Sequence, residues 1–277
     1  MKASAGGYAR ATDVRHALEL LEAADGAGRV LAGGQSLVAA MNMRLSADDL
    51  LVDISRISEL SGVRDTGDAL HIGALTRHVA VGADPLVRDH VPLLAQAVSR
   101  IAHAAIRNRG TIGGALAHAD PAAEFPACAL ALDAVLHIEG PQGRRDVAAG
   151  DFFVDLFETA IGEGEILTGL TVQKAVAGEA HALEEVARRS GDYALAGLCL
   201  VKRPAGHRVS LLSVGPRPVL ATNAMAALDR GDLDGAVAAL GEELDPPSDT
   251  QATAAYRRHV AGVLLRRAVA AIEGGSA

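Results

Sequence analysis

The sequence of 277 residues is poor in aromatic residues and in cysteine. Aromatic residues make up 3% of the chain and tryptophan is absent, so alanine, valine and leucine must build the core. The two cysteines, Cys128 and Cys199, are each isolated in an apolar run, where we expect small core residues. Two cysteines are too few for an iron–sulfur cluster or a zinc-finger set. A disulfide framework is not expected either, which fits a reducing compartment.

The chain also lacks an excess of positive charge and any long apolar run. Its formal net charge is −8, whereas nucleic-acid-binding domains usually carry a basic face. No run approaches the roughly 18 apolar residues that span a membrane, and the first residues have no apolar signal-peptide core. We therefore expect a cytoplasmic protein that is not an integral membrane protein and binds no nucleic acid.

Hydrophobic periodicity predicts an α+β fold. A helix capped by Thr12 is followed by a buried strand (29–32), a helix (36–45) and a strand (50–54). The next predicted elements are a hairpin (63–75), a helix (92–102), a helix (121–135), a hairpin (134–150) and a strand (165–174).

The pattern changes at 175–182, where we predict a domain boundary. The first domain would be 1–177, with subdomains of about 1–58 and 59–177, and the second would be 178–277. Consecutive strands followed by consecutive helices indicate an α+β layer in the second domain. The predicted elements there are strands at 182–188, 193–203 and 208–216 and helices at 221–231, 233–244 and 250–272.

Two glycine-rich loops are the main functional signal. The first, AGGQS (32–36), follows a predicted strand, and the second is GTIGG (110–114). Neither is the G-x-G-x-x-G of a nicotinamide-binding domain or a P-loop. Exposed N–H groups at a helix start form an anion-binding site, and Ser36 and Thr111 would cap the helices and donate a hydroxyl. The alternative is that each loop is an ordinary capped turn.

Lysine is scarce, so a phosphate held by these loops would depend on backbone donors. The three lysines, Lys2, Lys174 and Lys202, are distant in sequence from both loops, and the nearest cations are Arg107 and Arg109.

The second loop leads into ALAHADPAAEFPA (115–127), which contains His118, Asp120 and Glu124. A metal site is not expected, because no third ligand has a suitable spacing and such sites need three or more converging ligands. Hydrogen bonding to a phosphate or polyhydroxyl ligand is the preferred interpretation. No G-x-S-x-G or H-E-x-x-H motif occurs, so no residue is assigned a catalytic role.

Two further features leave alternatives open. Tyr193 is predicted at the start of a strand, where its ring would be half-buried or would stack near a planar ligand. The segment YRRHVAGVLLRRAV (256–269) has paired arginines on a helix, which form either a solvated face or a docking face for a partner subunit.

The motifs AGGQSL, IRNRGTIGGALAHADPAAEFPA, SGDYALAG and SVGPRPV, in this order, resemble the FAD-binding medium subunits of the molybdenum hydroxylases. This family includes the flavoprotein subunits of aerobic carbon monoxide dehydrogenase and of N-heterocycle dehydrogenases, and the FAD domain of xanthine dehydrogenase. The resemblance covers essentially the whole chain. It implies a vanillyl-alcohol-oxidase-type FAD-binding domain of two α/β subdomains, followed by a C-terminal antiparallel sheet with a helical bundle.

The resemblance also implies the cofactor site. Its nineteen residues are Ala32, Gly33, Gly34, Gln35, Ser36, Leu37, Ile101, Ala102, Gly110, Thr111, Gly113, Gly114, Ala115, His118, Asp120, Glu124, Ile161, Leu167 and Tyr193. The two glycine loops would bind the FAD pyrophosphate, and the three polar residues after the second loop would face the ribityl and phosphate region. Many relatives have histidine where Gln35 stands and a polar residue where Ala115 stands.

By the same resemblance, the chain would be an electron-transfer subunit of an oxidoreductase. A small subunit with two [2Fe–2S] clusters and a large subunit with the molybdenum cofactor would be its partners, in a dimer of heterotrimers. The acceptor would be NAD, a quinone or oxygen. Two alternatives remain at this stage: a stand-alone FAD-dependent oxidoreductase of the same fold, and a cofactor-free assembly or binding protein.

Overall fold

A computed structural model describes residues 6–45 and 50–274. Its strands are β1 (Tyr8–Arg10), β2 (Gly28–Leu31), β3 (Leu50–Asp53), β4 (Val63–Asp65), β5 (Ala69–Gly73), β6 (Val135–Gly140), β7 (Gly143–Ala148), β8 (Phe153–Asp155), β9 (Glu158–Thr159), β10 (Ile166–Gln173), β11 (Ala180–Val186), β12 (Ala196–Arg203), β13 (Gly206–Leu212) and β14 (Val219–Leu220). Its α-helices are α1 (Val14–Ala23), α2 (Leu37–Asn42), α3 (His78–Ala83), α4 (Pro85–His90), α5 (Pro92–Arg100), α6 (Ala104–Arg107), α7 (Ile112–His118), α8 (Glu124–Ala131), α9 (Ala149–Phe152), α10 (Thr222–Asp229), α11 (Leu233–Glu243) and α12 (Ala254–Gly274).

A small parallel sheet with the strand order β1-β3-β2 forms the N-terminal layer. The predicted strands in this region are confirmed, but β1 was missed because three residues carry too little periodicity. Helix α1 is capped by Asp13, whose carboxylate accepts from the backbone N–H of His16, so the prediction that Thr12 is the cap was wrong.

The second layer is an antiparallel sheet with the order β4-β5-β10-β6-β7, and it confirms both predicted hairpins and the strand at 165–174. The predicted helix at 92–102 is confirmed as α5, and that at 121–135 is the shorter α8. The short helices α3, α4 and α6 were missed. Helix α7 includes Gly113 and Gly114, so three of the five residues of the predicted second loop are helical.

The C-terminal layer is an antiparallel sheet with the order β11-β12-β13-β14. Helices α10 and α12 pack against it and α11 packs on these helices, and α5 and α8 of the preceding region also contact its strands. The predicted C-terminal antiparallel sheet with helices is confirmed. Tyr193 lies in the turn before β12 rather than in the strand itself, which begins three residues later.

Helix α8 is fastened to the C-terminal sheet by polar contacts at its last turn. The Arg208 guanidinium donates to the carbonyls of Leu130 (2.9 Å) and Ala131 (3.1 Å), and the Ser210 hydroxyl donates to the carbonyl of Ala127 (2.6 Å). Leu130 and Ala131 belong to the last turn, whose carbonyls have no partner further along the helix, so Arg208 supplies donors that the helix end lacks. The contact fixes α8 and therefore also its first residue, Glu124.

The paired arginines of the long helix α12 differ in exposure: Arg257 is buried, whereas Arg266 and Arg267 are exposed. Arg257 is buried and donates to the carbonyls of Leu195 and Ser213 and to the carboxylate of Asp249, whereas Arg258 pairs with Asp245 near the surface. Neither a wholly solvated face nor a docking face describes Arg257, which is a structural anchor. Among the described residues, no helix is long and apolar enough to cross a membrane.

Candidate functional site

A cavity of about 1090 Å³ lies where the N-terminal sheet, the second sheet and the turn before β12 meet. All nineteen residues that the sequence proposed for the site line this one cavity. They come from six separate parts of the chain. The volume is at the upper end of the roughly 300–1,000 Å³ range of small-molecule pockets, so the space suits an extended ligand.

The first glycine loop presents a row of backbone donors. The N–H groups of residues 33–37, the last being the first residue of α2, donate to no atom among the residues that the structure describes. Gly34 has a φ of +71°, a conformation that residues other than glycine rarely adopt. Such a run of free N–H groups at a helix start attracts an anion.

The Ser36 side chain does not cap α2 as predicted, and the Gln35 side chain bonds within its own loop. The Ser36 hydroxyl makes no capping bond, because its backbone is already helical (φ −98°, ψ −50°). The Gln35 amide donates to the carbonyl of Gly33 at 3.1 Å and so stabilises the turn itself. The backbone N–H groups of both residues stay free of partners among the described residues.

The second glycine loop has fewer free donors than its composition suggested. Thr111 caps α7 as predicted, since its hydroxyl accepts from the N–H of Gly114. The N–H groups of Ile112 and Gly113 donate to the carbonyls of Thr76 and Ala74, at 2.9 and 2.8 Å. Gly113 is thus a packing residue against the end of β5, and the prediction that it belongs to an open nest of donors was wrong.

The side chains of Asp120 and Glu124 line one part of the cavity, which we call the acidic wall. Burial, together with the nearby carboxylates of Glu185 and Asp120, raises the pKa of Glu124 to about 8. Burial also raises the pKa of Glu185, against the opposing effect of Arg100. A Glu124 with this pKa is mostly protonated at neutral pH, so it offers a hydroxyl donor to a ligand rather than a second negative charge.

Tyr193 stands over this acidic wall. The residue as a whole is 67% exposed, but its hydroxyl end is enclosed beside the Asp120 carboxylate. Burial of that end raises the pKa of Tyr193 to about 12, and the contact with Asp120 contributes to the rise. The ring face is consequently free to cover a ligand while its hydroxyl is held in place.

The backbone at Ile101 and Ala102 is held from outside the cavity. The Arg107 guanidinium donates to both of their carbonyls at 2.8 Å, and Ala102 has a φ of +39°. The Arg107 guanidinium therefore bonds to the backbone, and Arg107 does not line the cavity. Arg109 does not line it either, but it lies on an adjoining cavity of 610 Å³ with Arg77.

Several residues of the cavity were not predicted. His78, directly after the second strand of the hairpin at 63–75, lines the wall, and the Phe157 ring lies 5.0 Å from the His118 ring. One feature of the sequence could have predicted His78. It follows the end of β5 by five residues, and the second glycine loop forms hydrogen bonds to this part of the chain. Among the described residues, no group of three or more His, Cys, Asp or Glu side chains could hold a metal ion.

Comparison with known families matches both parts of the chain. Residues 2–173 match the family model of the FAD binding domain in molybdopterin dehydrogenase. Residues 181–272 match that of the CO dehydrogenase flavoprotein C-terminal domain. The chain belongs to the molybdopterin dehydrogenase flavoprotein family. As a member of this family, it is an FAD-binding subunit of an oxidoreductase.

Individual members of the family are similar over nearly their full length. The chain is 36% identical to the 6-hydroxypseudooxynicotine dehydrogenase complex subunit alpha of Paenarthrobacter nicotinovorans, covering 98% of this chain and 95% of that one. It is 37% identical to the carbon monoxide dehydrogenase medium chain of Afipia carboxidovorans, covering 95% and 94%. The solved structure of carbon monoxide dehydrogenase from Hydrogenophaga pseudoflava superposes with a TM-score of 0.95 at 35% identity, over 99% of each chain.

Proposed function

We propose that this chain is the electron-transfer medium subunit of a molybdenum hydroxylase complex and that the cavity holds its FAD. The single observation that carries the proposal is the convergence of both glycine loops, the acidic wall and Tyr193 on one cavity. The medium chains among its relatives support the same role. When bound, FAD would supply the redox chemistry of the electron transfer, and the residues of this chain would bind and orient it.

The residues of the cavity fit the chemical groups of FAD. The free N–H groups of residues 33–37 would hold the pyrophosphate, whose negative charge complements the N-terminus of α2. The protonated carboxyl of Glu124 and the carboxylate of Asp120 would hydrogen-bond hydroxyl groups, as the ribityl chain requires. The exposed ring of Tyr193 would cover part of the flavin ring.

Partner subunits would supply the rest of the electron path. This chain has two cysteines, both buried as free thiols, and a [2Fe–2S] cluster needs four ligands. The clusters would be on a small subunit and the molybdenum cofactor on a large subunit, with two copies of each chain in the complex. Electrons would leave the complex to an external acceptor, for which NAD, a quinone and oxygen are the three to assay.

The first test is a titration of the cofactor-free full-length chain with FAD, followed by visible absorbance and flavin fluorescence. We expect stoichiometric binding of one FAD per chain. A chain that binds no FAD would contradict the proposal and favour a cofactor-free assembly protein.

The second test is affinity purification of the tagged chain from its native host. We expect two further subunits, one of which carries iron–sulfur clusters. Recovery of an active lone flavoprotein would contradict the proposed complex and favour a stand-alone oxidoreductase.

A further inference from the structure

Phe157 presents a large apolar ring at the rim of the cavity. It lies in the two-residue turn between β8 and β9, is 52% exposed and belongs to the cavity-lining residues. Its backbone has a φ of +56°, a left-handed conformation that glycine adopts readily and bulky residues rarely adopt. Such unfavourable backbone conformations persist where the surrounding structure imposes them, and they are concentrated at functional sites.

The hairpin that carries Phe157 is fixed to the core on both sides of its turn. Phe152 and Phe153 are buried, with ring centroids 5.1 Å apart. The N–H of Ala160 donates to the carbonyl of Phe152 at 2.8 Å, and the Arg217 guanidinium donates to the carbonyl of Phe153 at 2.9 Å. The backbone therefore holds the Phe157 side chain at the rim, so a ligand binding there need not order this turn.

An aromatic neighbour extends the surface that Phe157 offers. The centroid of the His118 ring lies 5.0 Å from that of the Phe157 ring, and the two planes are inclined at 33°. Both residues line the cavity, and both are exposed. Aromatic rings bind other planar rings by stacking, so this pair suits a planar part of a ligand better than a sugar or a phosphate.

The position of the two rings indicates which half of FAD they would contact. Helix α7 begins beside the first glycine loop, since a Cβ atom on Gly114 would be 3.9 Å from the Cβ atom of Ala32. His118 is the last residue of α7, about 9 Å along the helix axis from its first residue. Two residues further on, the Asp120 carboxylate contacts the Tyr193 hydroxyl. The two rings therefore lie towards the end of the cavity where Tyr193 stands, away from the proposed pyrophosphate site.

We propose that the Phe157 ring, with His118 beside it, stacks against the flavin ring of bound FAD. This inference rests on the proposed function, in which the cavity binds FAD, and it adds Phe157 to the nineteen residues. Phe157 and Tyr193 would then contact the flavin ring from two separate parts of the chain. The contact also accounts for a phenylalanine at a position where the backbone favours glycine.

The first experiment is a fluorescence titration with FAD of cofactor-free wild-type chain, Phe157→Ala, Phe157→Tyr and Leu156→Ala. Leu156 is the matched control, because it is the other residue of the turn, is 54% exposed and does not line the cavity. We expect Phe157→Ala to bind FAD about 5- to 100-fold more weakly, the range for loss of a stacked aromatic ring. Phe157→Tyr keeps the ring, so this variant and Leu156→Ala should stay within about twofold of wild type.

The same proteins are melted without FAD. Because the Phe157 ring is half-exposed, its removal should change the melting temperature of the cofactor-free chain little. Phe157→Leu takes the place of Phe157→Ala if alanine destabilises the chain, since leucine keeps an apolar side chain and lacks the planar ring. A variant without the ring that melts normally and binds FAD as tightly as wild type would overturn the proposal.

Titrations with FMN and with ADP locate the contact on the cofactor. Phe157→Ala should weaken the binding of FMN and leave that of ADP unchanged. The visible absorbance bands of bound flavin should differ between Phe157→Ala and wild type and agree between Leu156→Ala and wild type. A loss confined to ADP, or normal FAD binding with loss of the partner subunits, would contradict stacking on the flavin. Failure of wild type to bind FAD would instead overturn the proposed function.

Discussion

Gly33 lies so close to Arg109 that a Cβ atom on Gly33 would be 2.3 Å from the Arg109 carbonyl oxygen. The same atom would be 2.9 Å from the Cα atom of Gly110. The first glycine loop is therefore pressed against the segment that leads into the second. Glycine is required at this position for contact between the two loops, in addition to any contact with a ligand.

Gly33→Ala should consequently separate the two loops. We expect a loss of about 1–3 kcal/mol in the free energy of unfolding from overpacking, together with weaker FAD binding. Urea unfolding and FAD titration measure the two effects. Gly241→Ala is the control, because this exposed glycine of α11 has no atom near its Cβ position and alanine there should stabilise the helix by roughly 0.5–1 kcal/mol. A Gly33→Ala chain as stable as wild type would contradict the close contact.

Glu124 should make the stability of the cofactor-free chain depend on pH. Its pKa is about 8 in the folded chain against an ordinary 4.5, so between these values the folded chain binds more protons than the unfolded chain. The contribution of Glu124 to the free energy of unfolding is therefore complete below pH 4.5 and is lost as the pH rises towards 8. Glu124→Gln should flatten this fall, as measured by urea unfolding at several pH values. Identical pH profiles for the two chains would contradict a buried, protonated Glu124.

Replacing Tyr193 should separate the role of its ring from that of its hydroxyl. Tyr193→Phe keeps the exposed ring and loses the contact with Asp120, whereas Tyr193→Ala loses both. If the ring covers the flavin, Tyr193→Ala should change the flavin midpoint potential and the reoxidation rate more than Tyr193→Phe does. Spectroelectrochemistry and stopped-flow reoxidation measure them. Tyr256→Ala, at another exposed tyrosine, should change neither, and equal values for all four proteins would reduce Tyr193 to a surface residue.

Arg257 should matter far more for stability than its neighbour Arg258. Arg257→Met removes the guanidinium that donates to the carbonyls of Leu195 and Ser213 and to the exposed carboxylate of Asp249. Leaving a buried hydrogen-bonding group without its partner costs about 1–3 kcal/mol, and Arg257 serves two such carbonyls. Arg258→Met removes a more exposed pair and should cost about 0–1 kcal/mol. Thermal melts of the two variants give the comparison, and equal losses would contradict the anchoring role.

The two cysteines should be unreactive in the folded chain. Their sulfur atoms are 3.7 Å apart, in contact across the interface of α8 and β12 but not bonded, and both side chains are buried. Burial raises the pKa of Cys128, which suppresses the reactive thiolate. Alkylation by iodoacetamide should be at least about 100-fold slower than in urea-unfolded chain, because the interface must open first. Rapid modification of native protein would contradict this packing.

Much of the fold could be predicted because its signals are local. The hairpins at 63–75 and 134–150, the strand at 165–174 and helix α5 all follow from the alternation of apolar residues within one segment. The short elements could not be predicted from such local signals. Strand β1 has three residues and helix α6 has four, which are too few to show a periodic pattern of apolar residues. Their conformations are imposed by the sheet and the loops that they contact.

The site shows the same division. The sequence by itself determined the chemistry of the first loop, since two adjacent glycines before a helix expose N–H groups in any fold that places them after a strand. It could not determine which donors stay free, because the bonds from Ile112 and Gly113 to residues near the end of β5 join segments about forty residues apart.

Only the tertiary structure decided the properties of Glu124 and Arg257. Each is an ordinary polar residue in the sequence, and its properties come from burial and from neighbours that packing supplies. Hydrophobic patterning specifies which segments are buried, whereas the partners of a buried polar atom depend on how those segments meet. The sequence thus determined the elements and the donors of the site, and packing decided which of them remain available to bind FAD.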